Sequence, residues 1–305
     1  MDKPAIEKPF LLHFATPAGR VSPFDVNMAY DAGWNAVIPY AGVNLEDMAG
    51  FTQDAIFSRG PKGAKRTGIF IGGRDALLAD DMLHAAGNAM VPPFVVSVFA
   101  DPSGAFTTAA AMLAKVEQAL LKQHALPLSG RRVVIFGGTG PVGMVVAILA
   151  SLAGAEVSIP GHDGLARAQI VVDRINTRFG MQIRACDGSD ASELQRLLAQ
   201  SEIVLATAKA GVEVLSAAHL AQASVLRVAA DINAVPPAGI AGIGMMDEGV
   251  ALAASSGHAV GIGPLAIGNL KYQVQQALLQ AMLTAEKPLL LGFSEAFVEA
   301  RRRVA

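Results

Sequence analysis

The chain has 305 residues, enough for two domains of ordinary size. Its side chains are 52% hydrophobic and only 16% charged, which supplies a large apolar interior and excludes a disordered tail or linker. The 24 basic and 26 acidic side chains nearly cancel, leaving none of the basic excess that a nucleic-acid partner requires. A single cysteine, Cys186, cannot close an internal disulfide, and no Cys/His cluster has zinc-ligand spacing, so a reducing cytoplasm and no metal site are expected.

The opening MDKPAIEKPF puts acidic and proline residues where a secretory h-region needs apolar ones, so no signal peptide is expected. Residues 10–14 have strand composition, and Ser22-Pro23-Phe24-Asp25 leads from a turn into a helix up to about Asp31. Apolar runs at 36–40 and 68–71 are bounded by Gly and Pro, and a helix over 75–90 precedes a strand at 94–99. An Ala-rich helix is expected over 107–121, then a turn at Leu126-Pro127-Leu128-Ser129-Gly130, where the domain boundary is placed.

Beyond the boundary, a strand at 132–136, a helix at 142–153 and a strand at 156–159 make one βαβ unit. The uncharged stretch 133–155 is long enough to span a bilayer. Gly137, Gly138, Gly140, Pro141 and Gly143 would break a spanning helix near its start, whereas a strand-turn-helix needs them, so no membrane is expected. Strands at 203–206, 225–230 and 259–262 extend the alternation, the pattern turns helical after Gly268, and Arg301-Arg302-Arg303 reads as a solvated helix end. The expected class is α/β with a Rossmann-type parallel sheet: a first domain over 1–126, a dinucleotide domain over 127–268, and the helices of 269–305 packing back on the first.

Gly138-Thr139-Gly140-Pro141-Val142-Gly143 follows an apolar strand and opens an apolar helix, the context in which a GxGxxG loop binds a dinucleotide. Gly138 is expected to permit the tight turn, Gly140 to let the backbone approach the pyrophosphate, and Gly143 to let helix and strand pack closely. Roughly twenty residues on, where a carboxylate grips a ribose or an Arg accepts a 2′-phosphate, stand Pro160-Gly161-His162-Asp163. His162 cannot fork onto a phosphate as Arg does, which favours NAD over NADP; Arg167, one helical turn further, could still reach a phosphate or be a solvated helix residue. Thr207 and Ala208, after the strand 203–206, are grouped with the cofactor residues, together with Asp231 and Asn233.

Several blocks occur in one order along nearly the whole chain: Ser22-Pro23-Phe24-Asp25 with Tyr30-Asp31-Ala32-Gly33, then Ser58-Arg59-Gly60, Ile71-Gly72-Gly73 and Ser103-Gly104-Ala105-Phe106-Thr107-Thr108. The glycine loop follows, then Ala230-Asp231-Ile232-Asn233-Ala234-Val235-Pro236-Pro237 and Gly268-Asn269-Leu270-Lys271. In these blocks the chain resembles the NAD(P)-dependent methylene-tetrahydromethanopterin dehydrogenases of methylotrophic bacteria, and is distantly similar to bifunctional methylene-tetrahydrofolate dehydrogenases. The resemblance implies a pterin-binding α/β domain, a Rossmann domain, an active-site cleft between them, a homo-oligomer, and oxidation of a reduced pterin's methylene bridge to the methenyl form. His162 stands where NADP-specific members carry Arg, and Tyr30 is followed by Trp34 where the bifunctional folate enzymes have a Tyr-x-x-x-Lys pair, so no second, hydrolytic activity is expected.

That oxidation removes hydride and leaves an amidinium-like cation, so no general base is needed and positioning and electrostatics suffice. Asp25, Asp101 and Asp231 are candidates to stabilise the charge, although turn chemistry alone accounts for Asp101. Lys271, taken to open a helix, is assigned to the pterin head or a carboxylate, with a helix-surface lysine as the alternative. Arg59 could meet an anionic substrate tail or belong to a surface loop. Ser103, Thr107 and Thr108 could bond the pterin or cap a helix, and Asn233 is placed near the nicotinamide. A methylene-tetrahydrofolate dehydrogenase, another two-domain dehydrogenase such as one acting on shikimate, and a non-catalytic dinucleotide sensor are the alternatives.

Overall fold

The computed structural model describes residues 8–256 and 258–305; the expectation about a signal peptide falls largely on residues 1–7, outside the described residues. The chain divides into two compact units, one taking the chain up to Phe106 with Gln273–Glu299, the other Thr107–Tyr272 with Ala300–Ala305.

The chain opens with β1 (Leu11–Thr16), α1 (Pro23–Asp31), β2 (Ala36–Ala41), α2 (Met48–Phe57), α3 (Gly60–Ala64), β3 (Thr67–Ile71), α4 (Ala76–Asn88) and β4 (Ser97–Ala100). Helix starts are written in the sequence. Ser22 accepts from Asp25 N at 3.4 Å with Pro23 at the first turn of α1, and Asp75 accepts from Leu77 N and Leu78 N to cap α4. The strand expected over 94–99 is shorter and later, running Ser97–Ala100, with Phe94 held instead in an isolated bridge to Val91. α5 (Ala105–His124) starts two residues before the expected 107.

The second unit continues through β5 (Arg132–Phe136), α6 (Pro141–Leu152), β6 (Glu156–Gly161), α7 (Leu165–Phe179), β7 (Arg184–Asp187), α8 (Ala191–Gln200), β8 (Ile203–Ala206), α9 (Ala217–Gln222), β9 (Val228–Asp231), β10 (Glu248–Ala251) and β11 (Val260–Ile262). α10 (Pro264–Thr284), β12 (Leu290–Leu291) and α11 (Phe293–Val304) complete the chain. α10 begins at Pro264 and not after Gly268; proline at a first helical position loses no needed N–H, and a Cβ on Gly268 would meet open space. Arg301, Arg302 and Arg303 fall in the last turn of α11, where cations suit the helix dipole.

The first sheet has the order β12-β4-β3-β1-β2 and is parallel throughout. Phe14, Phe70 and Phe99 stack edge to face across β1, β3 and β4 with centroids 4.8 and 5.3 Å apart, forming its core. At its outer edge, Ala36 N donates to Phe10 O, so the alternate residues Val37 and Pro39 turn their backbone nitrogens away from β1. Val37 N instead donates to the Tyr30 hydroxyl at 3.4 Å, and Pro39 has no N–H.

The second sheet has the order β10-β11-β9-β8-β5-β6-β7, parallel except for the antiparallel β10–β11 pair. Its strand order reverses between β5 and β8, the switch point of a doubly wound Rossmann sheet. The uncharged stretch that could have spanned a bilayer is β5, its turn and α6, and among the described residues no helix is long and apolar enough to cross a membrane.

Candidate active site

The glycine loop lies at the carboxyl end of β5, beside the switch point, where open α/β sheets bind ligands. The residue with left-handed backbone is Gly137 (φ 76), not Gly138; a Cβ there would stand 2.5 Å from Ala208 N. Gly138 is required for another reason, since its Cβ would lie 2.7 Å from Ile159 Cγ2 on β6. A Cβ on Gly143 would press on Gly137 O and come within 2.6 Å of both Gly138 Cα and Thr207 Oγ1, so α6 meets the loop only because Gly143 has no side chain. Thr207 locks the neighbouring turn, its amide and hydroxyl both donating to Phe136 O at 2.8 Å.

Gly140 is under no such pressure: its Cβ would approach Gly137 O at 3.3 Å and nothing closer. It is the N-cap of α6, a twelve-residue helix whose start has Pro141 and no side-chain cap. The amides of the first turn are thus left to another acceptor. Thr139, Gly140, Pro141 and Val142 are half-buried, hence reachable. A bare helix start with a shape-restricted glycine loop before it fits a pyrophosphate.

At the end of β6, Gly161 packs against Gly164 O, which brings His162 and Asp163 to the surface. Their side chains are 83% and 49% exposed, with His162 Nδ1 3.7 Å from Asp163 Oδ1. Arg167 is exposed in the first turn of α7.

Asp231 ends β9 completely buried, accepting from Asn233 N at 2.8 Å, Gly239 N at 2.7 Å and Ile240 N at 3.1 Å. Burial pushes its carboxyl up from the ordinary aspartate value, against the pull of these three amides. Asn233 accepts from Gly211 N and Val235 N and donates to Pro237 O, all within 3.0 Å. Together they fold the loop after β9 against the one after β8.

In the first unit, Asp101 follows β4 completely buried; its Oδ1 accepts from Phe106 N at 2.9 Å and its amide donates to Ile71 O. Ser103 is exposed in a left-handed conformation (φ 53), donating to Gly73 O at 2.7 Å. Asp25 is buried in the first turn of α1, and its Oδ1 accepts from Gln275 Nε2 at 2.8 Å. Asp25, Asp101, Ser103 and Gly73 thus belong to segments leaving the carboxyl ends of the strands.

Arg59 belongs elsewhere. Its guanidinium donates to Pro9 O, Arg66 O and Thr67 Oγ1 at 2.9 to 3.0 Å, bracing the amino ends of β1 and β3, and burial beside Arg66 lowers its pKa. Thr107 is completely buried and Thr108 half-buried within the first turn of α5, past any capping position. Lys271 sits half-buried two turns into α10, which removes the argument that a cation at a helix start needs an anion nearby. Among the described residues no group of three or more His, Cys, Asp or Glu could hold a metal.

A sequence profile described as "Methylene-tetrahydromethanopterin dehydrogenase, N-terminal" matches residues 23–103. The chain is 48% identical over 287 residues, covering 94% of it and 96% of the relative, to an NAD(P)-dependent methylenetetrahydromethanopterin dehydrogenase of Methylorubrum extorquens. It belongs to that dehydrogenase family. A second protein of the same organism, "Bifunctional protein MdtA", is 32% identical over 92% of this chain and 94% of its own. Among solved structures, an NAD-dependent malic enzyme of Thermotoga maritima superposes with a TM-score of 0.58 at 12% identity over 96% of this chain and 84% of the other, a likeness of fold. The family's profile begins at Pro23, so Asp25 and its helix start lie inside it, as do Asp101 and Ser103.

Proposed function

We propose that the protein oxidises the methylene bridge of methylene-tetrahydromethanopterin to the methenyl cation with NAD(P)+, within one-carbon (formaldehyde oxidation) metabolism. The 48% identity along 94% of the chain to an enzyme of that name carries the reading. In it, the first unit takes the pterin and the second the dinucleotide. The chain acts as a cytoplasmic homo-oligomer, a compartment consistent with its single cysteine.

The second unit would hold the dinucleotide, whose nicotinamide would supply the hydride acceptor when bound. The amides opening α6 hold the pyrophosphate, Gly140 leaves room for it, and Thr207 and Ala208 flank the loop. Asp231 and Asn233 act at one remove, by shaping the loops at the carboxyl ends of β8 and β9. Hydride departure turns a neutral carbon between two nitrogens into a cation; no proton leaves, and the protein's task is to place fixed negative charge beside that carbon. Asp25 takes this role, Asp101 lends its carboxylate to the start of α5, and Ser103 contacts the pterin.

The test is the appearance of NADH or NADPH absorbance when the purified protein meets methylene-tetrahydromethanopterin, run beside methylene-tetrahydrofolate. Turnover with the methanopterin is expected; silence with it while the dinucleotide still binds would overturn the substrate and leave the Rossmann fold standing. The exposed His162 sets the cofactor ratio. His162→Arg, adding a permanent forked cation, is expected to raise the NADP/NAD ratio of kcat/KM about tenfold, and an unchanged ratio would remove His162 from the ribose pocket.

A further inference from the structure

Two consecutive glutamines of α10 reach α1 and end on different partners. Gln276 Nε2 donates to Met28 O at 3.0 Å and touches the Met28 sulfur at 3.6 Å, a tie of helix to helix. Gln275 Nε2 donates to Asp25 Oδ1 at 2.8 Å, with Gln275 completely buried and Asp25 nearly so. Burying an amide costs free energy that an apolar side chain of similar volume would avoid, and the mechanical tie is already supplied next door. What Gln275 adds is a donor aimed at one carboxylate oxygen. It fixes that carboxylate's rotation while bringing no positive charge to cancel its field.

We propose, resting on the reading of Asp25 as the carboxylate that faces the developing cation, that Gln275 is the positioning residue for Asp25. Gln276 is the built-in control, being the same residue type on the same pair of helices without the carboxylate.

The experiment compares Gln275→Met and Gln276→Met in the full chain, measuring kcat, KM, melting temperature and the dissociation constants of the neutral methylene and cationic methenyl pterins. Gln275→Met is expected to lower kcat roughly 10- to 30-fold with KM within about twofold, and to weaken the cation's binding more than the neutral form's, since hydrogen bonds to charged groups are the strong ones. Gln276→Met is expected to lower the melting temperature with kcat within about twofold of wild type. In an Asp25→Asn background, Gln275→Met should add no further loss, because the two act as one unit. Gln275→Asn, which keeps a buried amide and withdraws its reach, serves if the methionine variant does not fold. Parallel losses of stability and activity in the two methionine variants, or losses that multiply with Asp25→Asn, would make Gln275 a packing residue and overturn the proposal. A wild-type protein without turnover on methylene-tetrahydromethanopterin overturns the functional reading first, and is told apart by that control.

Discussion

Gly143→Ala is expected to abolish dinucleotide binding at millimolar concentration and to lower the melting temperature together. The new Cβ would sit against Gly137 O and at 2.6 Å from Gly138 Cα and Thr207 Oγ1, two of the three being backbone atoms that cannot rotate away. Thr207 Oγ1 cannot yield cheaply either, since it donates to Phe136 O at 2.8 Å. The start of α6 must therefore shift outward, at a cost of about 3 kcal/mol for overpacking. In a unit the size of the second one that is a melting-temperature drop of roughly 6–12 °C. Gly140→Ala separates packing from binding, because its Cβ meets nothing nearer than 3.3 Å. The fold should hold while affinity for the dinucleotide falls about tenfold or more through crowding of the pyrophosphate. Calorimetry with NAD+ and a thermal melt on both variants decide it: a Gly143→Ala protein that melts with wild type would refute the close approach, and an unaffected affinity in Gly140→Ala would take that glycine off the pyrophosphate.

Asp25→Asn is expected to lower kcat by about a hundredfold or more, the scale on which loss of one preorganised electrostatic group acts. The substitution is close to isosteric, and an asparagine carbonyl can still accept the hydrogen bond from Gln275, so the fold should survive. What disappears is a full negative charge in a buried setting, worth about 4 kcal/mol to a cation at 4 Å with an effective dielectric near 20. Because the substrate's methylene bridge is neutral and the product's methenyl bridge charged, KM should change little and the loss should fall on the hydride-transfer step, read in single-turnover absorbance. A variant within threefold of wild type would shift the role to another group, Asp101 first.

The alternation of strand and helix could be read from hydrophobic periodicity, because buried parallel strands are continuous apolar runs and their ends are marked by glycine and proline. The same reading misplaced the tight-turn glycine by one. Gly137, Gly138 and Gly140 are equally permissive on paper, and only the neighbouring strand decides which adopts positive φ. Gly268 looked like a helix boundary because glycine is a weak helix former, yet it lies inside α10, whose start was marked by Pro264. Strand β12 is two residues long, too short for any periodicity. Among the site residues, Asp231 and Asn233 were visible as an Asp and Asn after a strand. That they are spent on loop amides depends on partners up to 22 positions away, which local sequence does not carry. Gln275 gave no signal at all: a glutamine in a long helix reads as surface, and its meaning comes from a carboxylate 250 residues earlier.

The outer edge of β2 bears on how these molecules behave at high concentration. A parallel sheet that ends in an open strand offers its free amides to any other extended chain, and with 52% hydrophobic residues this sequence would be poorly placed to tolerate such templating. Here one outward amide is engaged by the phenol of Tyr30 and the next is deleted by Pro39, so a newcomer would find two successive rungs of the ladder missing. Addition of a further strand at this edge is opposed by chemistry built into one molecule.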